Sequence, residues 1–505
     1  MILVYIDKLL DRVTMYRLMI YFLSLLVATA AGLSLSGHLG YNALGILFSA
    51  GYFSLICWVT NEVFARVFEV PSNPESSIIT GLILSLIITP YKIPHDLIFL
   101  TAAAGLAIAS KYILTWKGKH IFNPAAIAVS LTAIGAGQVA SWWVGNKYMA
   151  PVIIIGGWLV IRKIEREAMV ISFLATALAT SSIISLLQHH SSGLAFKNSI
   201  LSSSLLFLAF VMLTEPATSP TTKTKQAIYG ALAGFLWPPQ IHLLSAYSTP
   251  ERALSVANIF SFIISPRAKL LPVLKRRVPA SKSVVDFVFQ TRQPLAYEPG
   301  QYMEWTLPHD KVDSRGRRRY FTLASSPTEP ELRLGVKFFQ NGSSFKHKLL
   351  EMDGSVPIAA SQLGGSFTMP KDKSEKLVFI AGGVGVTPYR SMLKYLIDKN
   401  ERRDIVLLYS ENSRDELAYT DVLETAHHHL GTKVVYTLTA ENSADWHGRT
   451  GLIDADMIKA EVPDWKQRTF YISGPQSMVR AIKRQLQELD LDPDQIKTDF
   501  FPGYA

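Results

Sequence analysis

The first 265 residues constrain the fold most, because they consist of apolar runs separated by short charged loops. Ten such runs lie near 17–36, 42–65, 77–90, 97–114, 121–138, 149–162, 169–187, 198–213, 226–247 and 253–265. A helix needs about 20 apolar residues to span a bilayer. Several runs fall short of that, and Pro238-Pro239 interrupts the ninth. Short or broken segments persist at membrane depth where protein encloses them. The expectation for 1–265 is an α-helical polytopic membrane domain of about ten transmembrane helices. The lipid bilayer is its first partner.

Charge gives the orientation. With a cytoplasmic N-terminus, inside loops hold Lys8, Arg12, Arg17, Arg66, Lys111, Lys117, Lys119, Arg162, Lys163, Arg166, Lys223 and Lys225. Outside loops hold only Lys92, Lys147, Lys197 and Arg252. Cytoplasmic loops carry the excess of Lys and Arg. The expected location is therefore the cell inner (cytoplasmic) membrane, multi-pass, with the N-terminus and the C-terminal half in the cytoplasm. Much of the +10 net charge is loop charge of this kind, and no basic patch is interleaved with aromatics. Nucleic acid is not an expected partner. No small-residue cleavage site follows the first run, so it reads as a retained helix and not a signal peptide.

Ligand chemistry is limited by what is scarce. Cys57 is the sole cysteine. That excludes a disulfide within the chain, and also a cysteine-ligated iron–sulfur cluster, which takes about four thiolates. Transmembrane haems need histidines facing each other across helices, but His38, His95, His120, His189, His190 and His242 make no pair at haem-ligating spacing inside one segment, and most lie in loops. Bis-histidine haem is not expected, and no metal site is read from the sequence.

Three polar stretches sit at inner edges of the apolar runs: Pro71-Ser-Asn-Pro-Glu-Ser76, His120-Ile-Phe-Asn-Pro-Ala125 and Leu213-Thr-Glu-Pro-Ala-Thr-Ser-Pro220. Each alone also reads as a capped helix end. Together they can form one polar site, with Asn123, Thr218 and Ser219 as candidate binding residues. The stretches and the ten-run layout, across about 15–262, resemble the NqrB/RnfD family of membrane electron-transfer subunits. The specific phrases are Phe122-Asn-Pro-Ala-Ala126 and Thr214–Pro220; the family usually has Asp where this chain has Glu215. The resemblance implies a flavin in the membrane domain. Family members join FMN covalently to a threonine in a Ser-Gly-Ala-Thr-like motif. Here the corresponding loop reads His189-His-Ser-Ser-Gly-Leu-Ala195, and Ala195 offers no oxygen for a phosphoester. The implied flavin, FMN or riboflavin, is therefore non-covalent.

The second half has ordinary globular composition. A basic linker, 266–279, leads into strands. Pro299-Gly-Gln-Tyr302 marks a turn, and Arg318-Arg-Tyr-Phe-Thr-Leu-Ala-Ser-Ser-Pro327 alternates as a strand does. That stretch alone also reads as an amphipathic edge strand. Ser343 and Ser344 open a helix whose first amides suit an anion or an ordinary N-cap. Lys376–Arg390 then gives a buried strand, a glycine-rich turn (Gly382, Gly383, Gly385) and a helix starting Thr387-Pro388. Such a turn lets a backbone approach a pyrophosphate at a helix start. Further buried strands at 405–409, 434–437 and 469–472 imply a parallel sheet. Gly474-Pro475-Gln-Ser-Met478 follows the last of them, and an aromatic tail with Phe501 ends the sequence.

These motifs, in this order across about 270–505, resemble the ferredoxin–NADP reductase family. The resemblance implies an antiparallel β-barrel FAD domain over 266–372 and an α/β parallel-sheet NAD(P) domain over 373–505. It implies Arg319 at the FAD diphosphate, Tyr320, Phe321 and Thr322 around the isoalloxazine, and Ser343 or Ser344 at phosphate. It further implies that Gly382–Pro388 takes the NAD(P)H pyrophosphate, with Gly474, Pro475 and Met478 beside the nicotinamide and Phe501 able to cover a ring. Thr322 and Ser473 are the candidate catalytic residues; many members have Cys where this chain has Ser473. Glu411 suits a free ribose hydroxyl and Arg414 a phosphate, so NADH against NADPH stays open, leaning to NADH.

The expected function is a membrane flavoprotein oxidoreductase. Electrons pass from cytoplasmic NAD(P)H through FAD and a membrane flavin to an extracytoplasmic acceptor, such as a separate flavoprotein. The alternatives are a membrane-bound NADH:quinone reductase and a redox-driven sodium pump.

Overall fold

The computed structural model describes all residues except 1–5, 7–8, 11–12, 71, 95, 117–118, 190–191, 202–203, 244–245, 265–269, 293, 314–315, 340–341, 356–357, 441–444 and 500–505. The chain divides into two compact units, Met1–Arg267 and Ala268–Ala505.

The first unit is helical: α1 (Met15–Leu35), α2 (Ala43–Val67), α3 (Pro74–Ile87), α4 (Asp96–Ile113), α5 (Pro124–Ala136), α6 (Ala150–Ile164), α7 (Glu167–Leu187), α8 (Ser192–Leu201), α9 (Leu205–Phe207), α10 (Lys223–Leu236) and α11 (Pro250–Ile264). Four of these, α1, α2, α4 and α7, are long and apolar enough to cross a membrane. Polar caps explain the short ones. Asn73 accepts from Ser76 N and Asn123 from Ala126 N, each followed by proline at the first helical position, where its missing N–H costs nothing. The ninth apolar run stops at Leu236 before Pro238-Pro239, and then pairs His242–Leu243 with Ala246–Tyr247 as a ladder.

Backbone closeness holds the helices. Gly230 and Gly234 on α10 face Met169 and Phe173 on α7, and a Cβ at either glycine would strike a carbonyl oxygen of that helix. Small residues four apart allow this approach where lipid supplies no hydrophobic drive between helices. At the end of α3, Trp143 donates its indole N–H to Ser85 O (3.0 Å) and Ile88 O (2.9 Å), so terminal carbonyls that α3 leaves open are satisfied by a side chain. After α9 the chain runs on as a π-helical turn, Leu208–Met212.

The second unit begins with two antiparallel three-stranded sheets. One has the order β1 (Val273–Pro279), β2 (Val284–Gln290), β5 (Leu332–Lys337). The other has β6 (Ala359–Gly364), β3 (Tyr302–Thr306), β4 (Arg318–Thr322). An isolated bridge between Leu270 and Ala360 joins the run before β1 to β6. Phe287, Phe289, Trp305, Leu334, Phe345 and Leu363 share the core beneath them. Strand β1 corrects the reading of 266–279 as a linker. Its basic residues Lys275, Arg276 and Arg277 mask the strand pattern, but they sit on an edge with solvent beside them, where charge is common.

Helix α12 (Ser344–Glu351) follows β5. The remaining strands form a parallel sheet in the order β10 (Arg449–Thr450), β9 (Lys433–Leu438), β8 (Ile405–Glu411), β7 (Leu377–Gly382), β11 (Thr469–Ser473), β12 (Ile496–Asp499). Helices α13 (Thr387–Lys399), α14 (Thr420–Leu430), α15 (Ala455–Glu461) and α16 (Gln476–Glu488) connect it. Strands β7, β8 and β11 are buried along their whole length, as a sheet covered on both faces requires.

An ion cluster ties the N-terminal ends of the sheet. Arg468 donates to Asp464 Oδ1 (2.6 Å) and Asp404 Oδ1 (2.7 Å), and Lys376 to Asp464 Oδ2 (2.8 Å). Hydrogen bonding from Arg468 comes first among the effects that pull the Asp464 carboxyl down to about 2. A lowered folded-state value stabilises above the unfolded value of about 4 and is lost as pH falls. Acid titration of the thermal midpoint will therefore show loss between about pH 4 and 2, and Asp464→Asn will flatten that limb while lowering the midpoint at neutral pH.

Candidate functional site

Backbone geometry places the glycine-rich turn first. After β7, Gly383–Val386 form a 3-10 turn that leads into α13. Gly383 has φ +59, left-handed, and is suited to glycine. A Cβ on Gly385 would lie 2.5 Å from Ser473 C and 2.6 Å from Gly474 Cα. One on Gly382 would drive into Met478 Sδ and lie 3.1 Å from Pro475 Cδ. Gly382, Gly383, Gly385, Ser473, Gly474, Pro475 and Met478 therefore meet at one end of the parallel sheet. Thr387, at the start of α13, donates to Val384 O (3.0 Å) and closes the turn. Pro388 is buried at the next position.

Strand β4 carries the second group. Arg319 is buried, and its guanidinium lies 5.3 Å from the centre of the Phe345 ring. Its Nη1 donates to Arg318 O (2.6 Å) and Gly316 O (3.2 Å), and its Nη2 is 4.0 Å from Asp313 Oδ1. Asp313 Oδ2 also accepts from Ser344 N at the start of α12 (3.0 Å). One carboxylate thus lies by the arginine and on the helix-start amide. Ser343 caps the helix, accepting from Lys346 N (3.3 Å). Ser344 Oγ bonds His309 Nε2 (2.9 Å) and accepts from Asp313 N (3.1 Å). Phe321 and Phe345 have ring centres 6.0 Å apart. Tyr320 donates to the buried Glu304 (2.9 Å), which Arg318 also binds (3.0 Å).

Two residues that motif reading missed stand beside these groups. Asp499, at the end of β12, accepts from Thr322 Oγ1 (3.3 Å). Lys337, at the end of β5, holds its Nζ 3.9 Å from the Cβ position of Gly383, bound to Glu411 (3.0 Å) and Glu416 (3.4 Å). Glu411, whose place suits a ribose hydroxyl, is buried against this lysine, and burial pushes its carboxyl up. No local motif marks either residue, since each meets its partner through a side-chain contact between strands of different sheets. Phe501 lies outside the described residues.

In the helical unit the second and third polar stretches converge. His120 Nε2 is 3.5 Å from Glu215 Oε1. Thr218 Oγ1 donates to Glu215 Oε2 (3.2 Å), and Ser219 Oγ to Glu215 O (2.8 Å). Asn123 Nδ2 donates to Met212 O of the π turn (3.3 Å), and Asn123 N to Asn258 Oδ1 on α11 (2.8 Å). Asn258 in turn donates to Tyr229 on α10 (2.8 Å). The first stretch makes other contacts, from Glu75 to Arg17 (3.4 Å) and from Ser76 to Lys111 (3.0 Å). Among the described residues, buried Gln226 Oε1 on α10, Ser261 Oγ on α11 and Ser130 Oγ on α5 have no hydrogen-bond partner. Buried polar atoms normally find one, so these helices carry bonding capacity for a polar ligand. Ala195 and its neighbouring side chains lie outside the described residues.

Residues 133–248 match the NQR2, RnfD, RnfE family, and residues 379–484 match the oxidoreductase NAD-binding domain. The chain joins these two family segments. It is a membrane protein with a reductase-type domain. The glycine betaine monooxygenase reductase subunit of Pseudomonas aeruginosa is 26% identical over 222 residues, 43% of this chain and 59% of that protein. The flavohemoprotein of Bacillus subtilis is 27% identical over 236 residues, 45% of this chain and 58% of its own length. The matches thus span less than two thirds of these curated relatives. Among solved structures, the flavohem-like FAD/NAD binding domain of a Vibrio cholerae nitric oxide dioxygenase is 22% identical, covering 46% of this chain and 98% of that one, with a TM-score of 0.40.

The glycine turn yields a direct expectation. Gly385→Ala forces the backbone of 383–386 away from Ser473–Gly474. The KM for NAD(P)H with a soluble dye acceptor will rise by about tenfold or more, the equivalent of roughly 1.4 kcal/mol of lost binding.

Proposed function

We propose that the chain is a membrane flavoprotein oxidoreductase that passes electrons from cytoplasmic NAD(P)H through FAD and a non-covalent membrane flavin, FMN or riboflavin, to an extracytoplasmic acceptor. The observation that carries it is the anion seat at β4. A buried guanidinium and a helix-start amide converge on one carboxylate, Asp313, whose oxygens stand in for those of a diphosphate. A nucleotide-type turn lies in the same compact unit, and the companion segment belongs to a membrane family.

In this reading Arg319, Ser343 and the amide of Ser344 hold the FAD diphosphate. Phe321 and Tyr320 flank the ring system, and Thr322 directs its hydroxyl at a ring nitrogen. Asp499 orients that hydroxyl by accepting its hydrogen bond. Gly382–Pro388 and Lys337 take the pyrophosphate of NAD(P)H, because the ammonium is already held at Gly383. Ser473 and Gly474–Met478 shape the space for the nicotinamide. Bound FAD supplies the conversion of a two-electron hydride into single electrons. In the membrane domain Asn123, Thr218 and Ser219 belong to the flavin-binding region, and the unsatisfied oxygens of Gln226 and Ser261 complete its polar lining. The unit 1–265 is read as a bundle of about ten segments, with 266–372 as the FAD barrel and 373–505 as the NAD(P) domain.

Denaturing extraction from the purified full chain tests the cofactor content. Two flavins per chain are expected, FAD plus FMN or riboflavin; FAD alone overturns the membrane relay. Arg319→Ala removes a charge-assisted contact of about 2 kcal/mol. FAD content and NAD(P)H–dye activity will fall together while the second flavin stays. Stoichiometric FAD in that variant contradicts the seat.

A further inference from the structure

A buried ionic seam joins the antiparallel sheets to the parallel-sheet layer within the second unit. Arg390 lies one turn into α13, directly after the glycine turn, and is only 5% exposed. Its Nη1 donates to Ala324 O (2.8 Å), two residues beyond Thr322 on the chain leaving β4. The same guanidinium grips Glu329 with both ends, Nη1 to Oε2 (2.5 Å) and Nη2 to Oε1 (3.0 Å). Glu329 Oε2 also accepts from Ser326 N (2.7 Å), fixing the turn that follows Ala324. Next along the helix, Ser391 donates to Ser325 O (2.5 Å).

A second pair continues the seam. Asp286 on β2, 2% exposed, accepts from Tyr419 OH (2.5 Å) at the start of α14 and from Arg333 Nη1 (3.3 Å) on β5. Arg333 Nε is 3.4 Å from Glu329 Oε1. The Arg390 guanidinium lies 5.8 Å from the Tyr419 ring centre. Gly335 on β5 keeps the layers close. A Cβ there would strike Tyr419 OH and lie 2.7 Å from Thr387 Cγ2. One arginine and one carboxylate, Arg390 and Asp286, are thus withdrawn from water at the join, and Arg333 and Glu329 are partly so. Such groups cost several kcal/mol each to desolvate, and well-packed apolar residues hold a join more cheaply. Ions in their place give directional, bidentate contacts that fix one geometry.

We infer that Arg390 is a positioning residue for hydride transfer. It clamps the backbone leaving the flavin strand to the helix that starts at the nucleotide turn, and so sets the separation of the two reacting rings. This rests on the FAD and NAD(P)H reading given above. Arg390 touches neither ring's binding residues through its side chain; it acts through Ala324, Ser326 and the first turn of α13. A misplacement of about 1 Å costs on the order of 100-fold in such a step, so the seam governs rate far more than affinity.

The test is rapid mixing of the detergent-purified full chain with NADH or NADPH, following flavin bleaching and the long-wavelength charge-transfer absorbance. The wild type serves as control. If it holds no FAD or is not bleached by either nucleotide, the functional reading itself fails. With bleaching established, Arg390→Lys is expected to keep FAD, to change KM by less than about threefold, and to slow bleaching by about tenfold or more with a weaker charge-transfer band. A folded variant that bleaches at the wild-type rate overturns the inference, and so does one that loses FAD instead of rate. Removing one partner of a buried pair costs about 3–5 kcal/mol, so two further variants guard against misfolding. The paired Arg390→Met/Glu329→Met removes both charges, and Ser391→Ala removes one neutral contact. Slowed bleaching at unchanged KM is expected in both, and wild-type rates in both overturn the inference.

Discussion

The arrangement of the reductase unit depends on a contact that only bare backbone can make. Gly385 in the turn after β7 lies against Ser473 and Gly474 after β11, with no room for a Cβ between them. Parallel pairing of β7 with β11, Leu377 opposite Thr469 through Ala381 opposite Ser473, brings the two turns level. Everything proposed for the nucleotide follows from that register. Met478 and Pro475 close over Gly382, Lys337 reaches Gly383 from the neighbouring sheet, and α13 starts where the turn ends. Shifted pairing would separate the turns and aim α13 elsewhere.

The helical unit meets the same demand with side chains. Asn123 caps α5, donates to a π-turn carbonyl and donates its backbone N–H to Asn258 on α11, so one residue joins three segments directly. A π turn leaves its carbonyls offset from the usual ladder, and Met212 O is used in this way. Gln226, Ser261 and Ser130 keep buried oxygens without a hydrogen-bond partner among the described residues, beside an asparagine that is bonded on every side it is shown to use.

Legibility in the sequence followed the range of the interactions. The glycine turn, the Ser343 cap and the strand at Arg318–Thr322 were readable because their determinants are neighbours in the chain. Strand β1 was not, since its basic residues hide an edge strand that is defined only by pairing with β2. Lys337, Asp499 and Asn258 were missed for a related reason: each is an ordinary residue until folding brings it to a distant partner. Glu411 combines both ranges: its place at the end of β8 suits a ribose hydroxyl, and folding adds a lysine 74 positions away as its partner. Apolar runs revealed a helical membrane segment but overstated helix length, because asparagine–proline caps and the Pro238-Pro239 break shorten helices inside runs that stay apolar.

A reductase-type domain and a helical membrane segment with unsatisfied buried polar oxygens are thus joined in one chain. In the proposed function, electrons cross the bilayer. Sealed vesicles of the purified chain, oriented with the reductase half inside and loaded with NADH or NADPH, test it when an impermeant acceptor is added outside. The account predicts outside reduction that needs the internal nucleotide and disappears with Arg319→Ala. Reduction seen only when nucleotide and acceptor share one compartment would contradict it.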